Sequence, residues 1–163
     1  MPMTPELENA IASAQAMARA DNTAGAMAVA ESLLAEHPDE MEVWLLRGYL
    51  HELNADYSEA KSALSRAIEL NGSEPHLFYN RGRFSYHLGE LREAVQDFSK
   101  ALELCDFYNN DYYRQELYFW RAETLVKLGR KQEALNDLSQ VDADFSSWTD
   151  HLQTKQELLA ACK

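Results

Sequence analysis

The 163-residue chain is long enough for one compact domain or a short repeat array, and it needs no disulfide staples to fold. Its 27 acidic and 15 basic side chains leave a net charge of −12, which opposes binding to phosphate backbones and favours a basic partner. Two cysteines, Cys105 and Cys162, are too few for a disulfide framework, and neither belongs to a Cys-x-x-Cys zinc pair.

In chain order, Thr4-Pro5-Glu6 is a capping residue followed by proline at a first helical position. Residues 7–40 carry an apolar helical period broken at Asp21-Asn22-Thr23 and ended by Pro38-Asp39. The stretch 1–40 is also the most acidic, with seven acids and the single base Arg19. The next two helices meet at Asp56-x-x-Glu59, which has the form of a capping box, and close at Asn71-Gly72-Ser73. Leu88-Gly89 and Leu128-Gly129 break the later helices in the same way. Asn109-Asn110-Asp111 is expected to cap the helix that carries the ring-rich end of "FYNNDYYRQELYFW", residues 107–120. Residues 147–161 read as one more amphipathic helix, with Trp148, Leu152, Leu158 and Leu159 as its apolar stripe and Thr149, Asp150, Gln153, Lys155 and Gln156 facing water.

The chain repeats itself. "VWLLRGYLHELNADYSEAKSALSRAIEL" (43–70) aligns with "LFYNRGRFSYHLGELREAVQDFSKALEL" (77–104) at a shift of 34, and "LYFWRAETLVKLGRKQEALNDLSQV" (117–141) follows after a further 40. A weaker copy precedes them. A bulky residue followed four later by a small one recurs as Trp44/Gly48, Phe78/Gly82 and Tyr118/Ala122, with Ala10/Ala14 in the first copy. The second helices share Ala60/Leu64/Ala67, Ala94/Phe98/Ala101 and Ala134/Leu138/Val141. Small residues let paired helices approach, and large ones fill the space beside them.

On these residues and this period the chain resembles the tetratricopeptide repeat (TPR) family. The resemblance implies an all-α, right-handed TPR solenoid of about four helix-turn-helix units plus a C-terminal capping helix. Residues 1–163 then form a single TPR domain with units at about 7–40, 41–74, 75–108 and 115–146, and a capping helix over 147–161. Gly72 and Asp106 stand where the family has a closing proline.

The resemblance also places a concave groove along the first helix of each unit. Its positions are Glu42, Leu45, Tyr49, Glu52 and Leu53; then His76, Tyr79, Arg83, Tyr86 and His87; then Glu116, Phe119, Glu123, Val126 and Lys127. Rings with a central Arg suit a peptide or protein partner. Tyr112, seven residues before Phe119, is expected to extend the groove wall, while Tyr118 packs in the core. Phe107 and Tyr108, in the six-residue insertion, are expected as exposed anchors. The partner-binding set is thus Tyr49, Glu52, His76, Tyr79, Arg83, Tyr86, His87, Phe107, Tyr108, Tyr112, Phe119 and Glu123. Ile11, Gln15, Leu45 and Tyr49 replace the Lys and Asn residues with which some relatives grip chaperone tails, so that binding mode is not expected.

No nucleophile beside a base, phosphate loop or metal motif stands out. His76 and His87 lie about three helical turns apart, too far to share an ion. No enzyme activity, cofactor or metal is expected. Arg47, Arg81 and Arg121 recur at one position, and Asp97 and Asp137 match the last two; these are expected to be helix-to-helix ion pairs, with Arg47, which Ala63 faces, either freer or paired elsewhere. With no basic-then-apolar leader and no apolar run near the ~20 residues of a membrane span, a cytoplasmic protein is expected. The expected function is that of a scaffold or adaptor for a protein or peptide, with self-association left open. Two alternatives stay beside it: an immunity-type inhibitor of a basic toxin, from a looser resemblance of the chain's ending to small bacterial TPR proteins, and a type III secretion chaperone-like protein.

Overall fold

A computed structural model describes residues 3–111 and 113–163. The chain divides into two compact units, one ending at Gly72 and one from Ser73 to Lys163.

The first unit holds α1 (Pro5–Arg19), α2 (Thr23–Glu36), α3 (Met41–Leu53) and α4 (Tyr57–Leu70). Thr4 accepts from the Leu7 amide at the start of α1, Asn22 accepts from Gly25 at α2, and Asp56 accepts from Glu59 at α4. These caps satisfy amides that have no partner within the helix. Leu7, Ile11, Ala14, Ala26, Ala30, Val43, Leu46 and Leu50 form its core. Arg47 donates to both Glu31 and Glu59 at 3.0 Å.

The second unit holds α5 (Pro75–His87), α6 (Leu91–Tyr108), α7 (Arg114–Lys127) and α8 (Lys131–Leu138), then an antiparallel hairpin of β1 (Ser146–Trp148) and β2 (Leu152–Thr154), and α9 (Lys155–Ala161). Phe84, Phe98, Leu117 and Trp120 are among its fully buried side chains. The two expected ion pairs are present and bidentate. Arg81 donates to Asp97 at 2.9 and 2.7 Å, and Arg121 to Asp137 at 2.8 and 2.6 Å, each tying the first helix of a pair to its second. Cys105 and Cys162 are free and buried, and burial pushes both thiols up.

One turn recurs in every helix pair. Asp21, Ala55, Gly89 and Gly129 all have left-handed backbones, with φ of 63°, 55°, 77° and 73°. In each case the following amide donates back to the last turn of the helix: Asn22 to Met17, Asp56 to His51, Glu90 to Ser85 and Arg130 to Leu125, at 2.8–2.9 Å. This is the Schellman closure, which satisfies helix-end carbonyls.

The six-residue insertion is partly absorbed by helix. α6 runs 18 residues where α4 runs 14, so Phe107 and Tyr108 lie on its last turn and not in an inserted turn. Asn109 adopts the left-handed conformation and closes α6, while α7 begins at Arg114 behind Tyr113, so Asn109-Asn110-Asp111 is not the cap of α7. The expected helix over 147–161 is confined to Lys155–Ala161. The Thr154 hydroxyl accepts from the Glu157 amide and the Glu157 carboxylate accepts from the Thr154 amide, a capping box that starts the helix there and leaves 146–154 to the hairpin. Leu158 is nevertheless fully buried in the last unit's core, as a capping residue requires.

Candidate functional site

The face shared by α5 and α7 collects most of the predicted groove residues of the second unit. Tyr79 and Arg83 lie one turn apart on α5, and the Arg83 guanidinium stands 5.6 Å from the ring centres of both Tyr79 and Trp120. The Glu116 carboxylate accepts from the Tyr79 hydroxyl at 3.3 Å, from the Trp120 indole at 3.0 Å and from the Ser147 hydroxyl of the hairpin. It therefore joins α5, α7 and β1 at one oxygen.

Towards the far end of α7, the buried Tyr86 hydroxyl donates to Glu123 at 2.9 Å and lies 3.2 Å from Asp150. Lys127 donates to Asp150 at 2.5 Å and sits 4.5 Å above the Tyr86 ring. Burial and the neighbouring Glu123 carboxylate push the Tyr86 hydroxyl well above its ordinary value, so Tyr86 remains a donor. The Lys127 ammonium holds Asp150 below the usual carboxylate range, against a smaller opposing effect of burial. His87 packs edge-on against Tyr86 and Trp120 at 5.5 and 6.0 Å. His76, half-buried in the first turn of α5 and 3.9 Å from Glu74, is shifted down by burial.

Three residues expected on an open groove are buried: Tyr86, Phe119 and Glu123. The cause is the chain after α8. Phe145 lies 5.4 Å from Phe119, centre to centre, and Leu158 and Leu159 pack into the same cluster. Phe119 thereby leaves the groove for the core, while Tyr118, expected in the core, packs against the same cluster only half-buried. The Tyr118 ring lies under the Arg121 guanidinium at 5.7 Å. Thr149, expected to face water, is buried, whereas Trp148 and Leu152, expected as an apolar stripe, are exposed.

Elsewhere, Tyr49 and Glu52 are half-buried on α3 of the first unit. Phe107 and Tyr108 are 78% and 52% exposed and pack edge-on against each other at 4.9 Å, away from the α5–α7 cluster in sequence and on a second helix. Tyr112 lies outside the described residues. Glu116 and Lys127 stand at groove positions outside the expected partner-binding set, and the sequence pattern does not point to Ser147 and Asp150. The signal for the last two was Thr154-x-x-Glu157, which starts a helix too late to include them. Among the described residues no three His, Cys, Asp or Glu side chains are grouped to hold a metal ion, and no helix is long and apolar enough to cross a membrane.

Successive helix-turn-helix pairs with small residues at the crossings and a side-chain-rich first-helix face define a helical repeat protein. Sequence profiles of the tetratricopeptide repeat match residues 7–50 and 54–109, together more than half of the chain, and the chain belongs to that family. It is 34% identical over 79 residues to the Protein STIP1 homolog of Dictyostelium discoideum, a match that covers 48% of this chain and 13% of that protein. Among solved structures it superposes on MamA with a TM-score of 0.71 at 14% identity, covering 86% of this chain and 74% of the other. YrrB, described as a TPR protein with an unusual peptide-binding site, superposes with a TM-score of 0.69 at 21% identity, covering 80% and 64%. The chain spans only 7–29% of the length of the curated relatives it matches. The TPR is in general a non-catalytic fold that binds protein or peptide partners.

Proposed function

We propose that this chain is a scaffold or adaptor that engages a protein or peptide partner through the α5–α7 face of its second unit. The observation that carries the reading is the Tyr79–Arg83–Trp120 cluster braced by Glu116. Aromatic rings and arginine are the side chains that most often dominate binding energy, and here they are held in fixed geometry by buried neighbours. The likeness to YrrB supports a peptide as the partner class. Tyr49 and Glu52 of α3 and the exposed Phe107–Tyr108 pair are further contact candidates, each testable by itself.

A second reading, inhibition of a basic protein such as a toxin, is favoured by the net charge of −12. Opposite charge speeds encounter and makes binding salt-sensitive. Affinity capture on the full chain, from native lysate at low and high salt, separates the two. Several partners that persist at high salt and are lost with Arg83→Ala support the adaptor. One stoichiometric basic protein released by salt supports the inhibitor. Capture unchanged by Arg83→Ala, with the variant folded by circular dichroism, contradicts the proposed face.

A further inference from the structure

Each polar side chain of residues 142–150 that reaches the helices lands on α5 or on the same face of α7. The Asp142 carboxylate accepts from the Gln115 side-chain amide at 2.7 Å, and the Asp142 backbone amide donates back to the Gln115 side-chain oxygen Oε1 at 2.9 Å. Ser147 donates to Glu116, and Asp150 bonds Lys127 and lies against Tyr86. The segment thus meets α7 at its first turn and at its last, about 18 Å apart at 1.5 Å per residue; it starts in a turn, closed by the Phe145 amide donating to the Asp142 carbonyl at 3.2 Å, and continues as β1.

The polarity of this packing is inverted. The side of the hairpin turned inward is Ser147 and Thr149, 7% and 8% exposed, while Trp148 and its cross-strand partner Leu152 are 71% and 49% exposed. An element held in place by the hydrophobic effect buries its apolar side. This one is held by hydroxyl and carboxylate contacts, and a two-stranded hairpin of three residue pairs is marginal on its own. Another carboxylate-bearing segment could make the same contacts, provided that it also carries an aromatic ring to replace Phe145 against Phe119. Lys127, aimed at Asp150 from the last turn of α7, supplies the complementary charge.

We infer that the α5–α7 face is a binding site for an acidic segment of a partner protein, and that residues 142–150 of this chain occupy it as a built-in competitor. The inference rests on the reading of this face as the partner surface and names the chemistry of that partner: two carboxylates about eight residues apart, to meet Gln115 and Lys127, with an aromatic ring for Phe119 and a small hydroxyl residue for Glu116 between them. The partner segment enters as the hairpin leaves.

The test uses the full chain carrying Asp142→Ala and Asp150→Ala, which weakens the competitor and leaves every residue of the α5–α7 face in place. The probe is a fluorescein-labelled synthetic peptide of residues 141–151, with a scrambled peptide of the same composition as control, read by fluorescence anisotropy. The expected result is binding to the double variant at least tenfold tighter than to the parent chain, lost when Lys127→Ala is added, and absent for the scrambled peptide. Equal affinity for parent and variant, binding to neither, or binding that survives Lys127→Ala overturns the inference. Should the double variant fail to fold, Asp150→Asn replaces it, with hydrogen exchange as the readout. Exchange at Ser147 and Thr149 at least tenfold faster than in the parent, with α7 unchanged, supports the inference, and no change overturns it. A chain that captures partners through Arg83 yet refuses the peptide keeps the proposed function and loses only this inference.

Discussion

A methyl group added at Gly82 would meet the fully buried Phe98 ring at 2.7 Å, whereas at Gly48 it would meet only the tip of Leu64 at 3.0 Å. The ring is locked among Tyr79 and Trp120, whereas the leucine atom is the far end of a flexible side chain. Overpacking costs about 1–3 kcal/mol and alanine regains about 1 kcal/mol of helix propensity, so Gly82→Ala should destabilise by up to about 2 kcal/mol and Gly48→Ala by less than ~0.5 kcal/mol. Urea denaturation of the three chains checks the order; equal midpoints would refute it. Ala55 occupies the left-handed turn position that Gly89 and Gly129 fill in later units. Relief of about 1–2 kcal/mol of backbone strain, less the entropic cost of glycine, should make Ala55→Gly more stable by about 0.5–1 kcal/mol, seen as a higher urea midpoint. The small-residue crossings and the Arg–Asp pairs were legible because they recur at a fixed spacing inside each helix pair. The burial of Phe119 was not, because the residue that buries it, Phe145, lies outside the repeat.

At the scale of elements, helices α1 to α8 follow the repeat closely, and the departures sit where the repeat changes or stops. The 40-residue interval lengthens α6, and the periodic apolar pattern of 147–161 concealed a hairpin whose apolar side faces outward. Only the capping box at Thr154 distinguished the two. The hairpin also predicts a pH dependence. Asp150 faces Tyr86 and His87 from α5 and Glu123 and Lys127 from α7, with His151 beside it in sequence. Its acid constant is depressed in the folded chain, chiefly by the Lys127 hydrogen bond, so its contribution to docking is complete above the ordinary aspartate value of about 3.9 and disappears as the pH falls through the depressed value. Amide shifts of Ser147 and Thr149 should stay constant from neutral pH down to about pH 4 and then move toward unstructured values. In Asp150→Asn that acid limb should vanish. An acid limb of equal size in the variant would assign the effect to another group.

For the molecule as a whole, the 34-residue period carried the family and the helical architecture, because the same few side chains close each helix pair. Function was legible only as a class. The first-helix positions picked out one face of the second unit, yet their exposure depended on a segment that no repeat encodes. The net charge of −12 shapes how partners approach without choosing the face they meet. The claim that the α5–α7 face is that surface is tested most directly by hydrogen exchange of the full chain with and without a captured partner. Slowed exchange concentrated in Pro75–His87 and Arg114–Lys127, together with altered exchange at Ser146–Thr154, is the predicted result. Protection confined to the last turn of α6 around Phe107 and Tyr108, with α5, α7 and the hairpin unchanged, would contradict it.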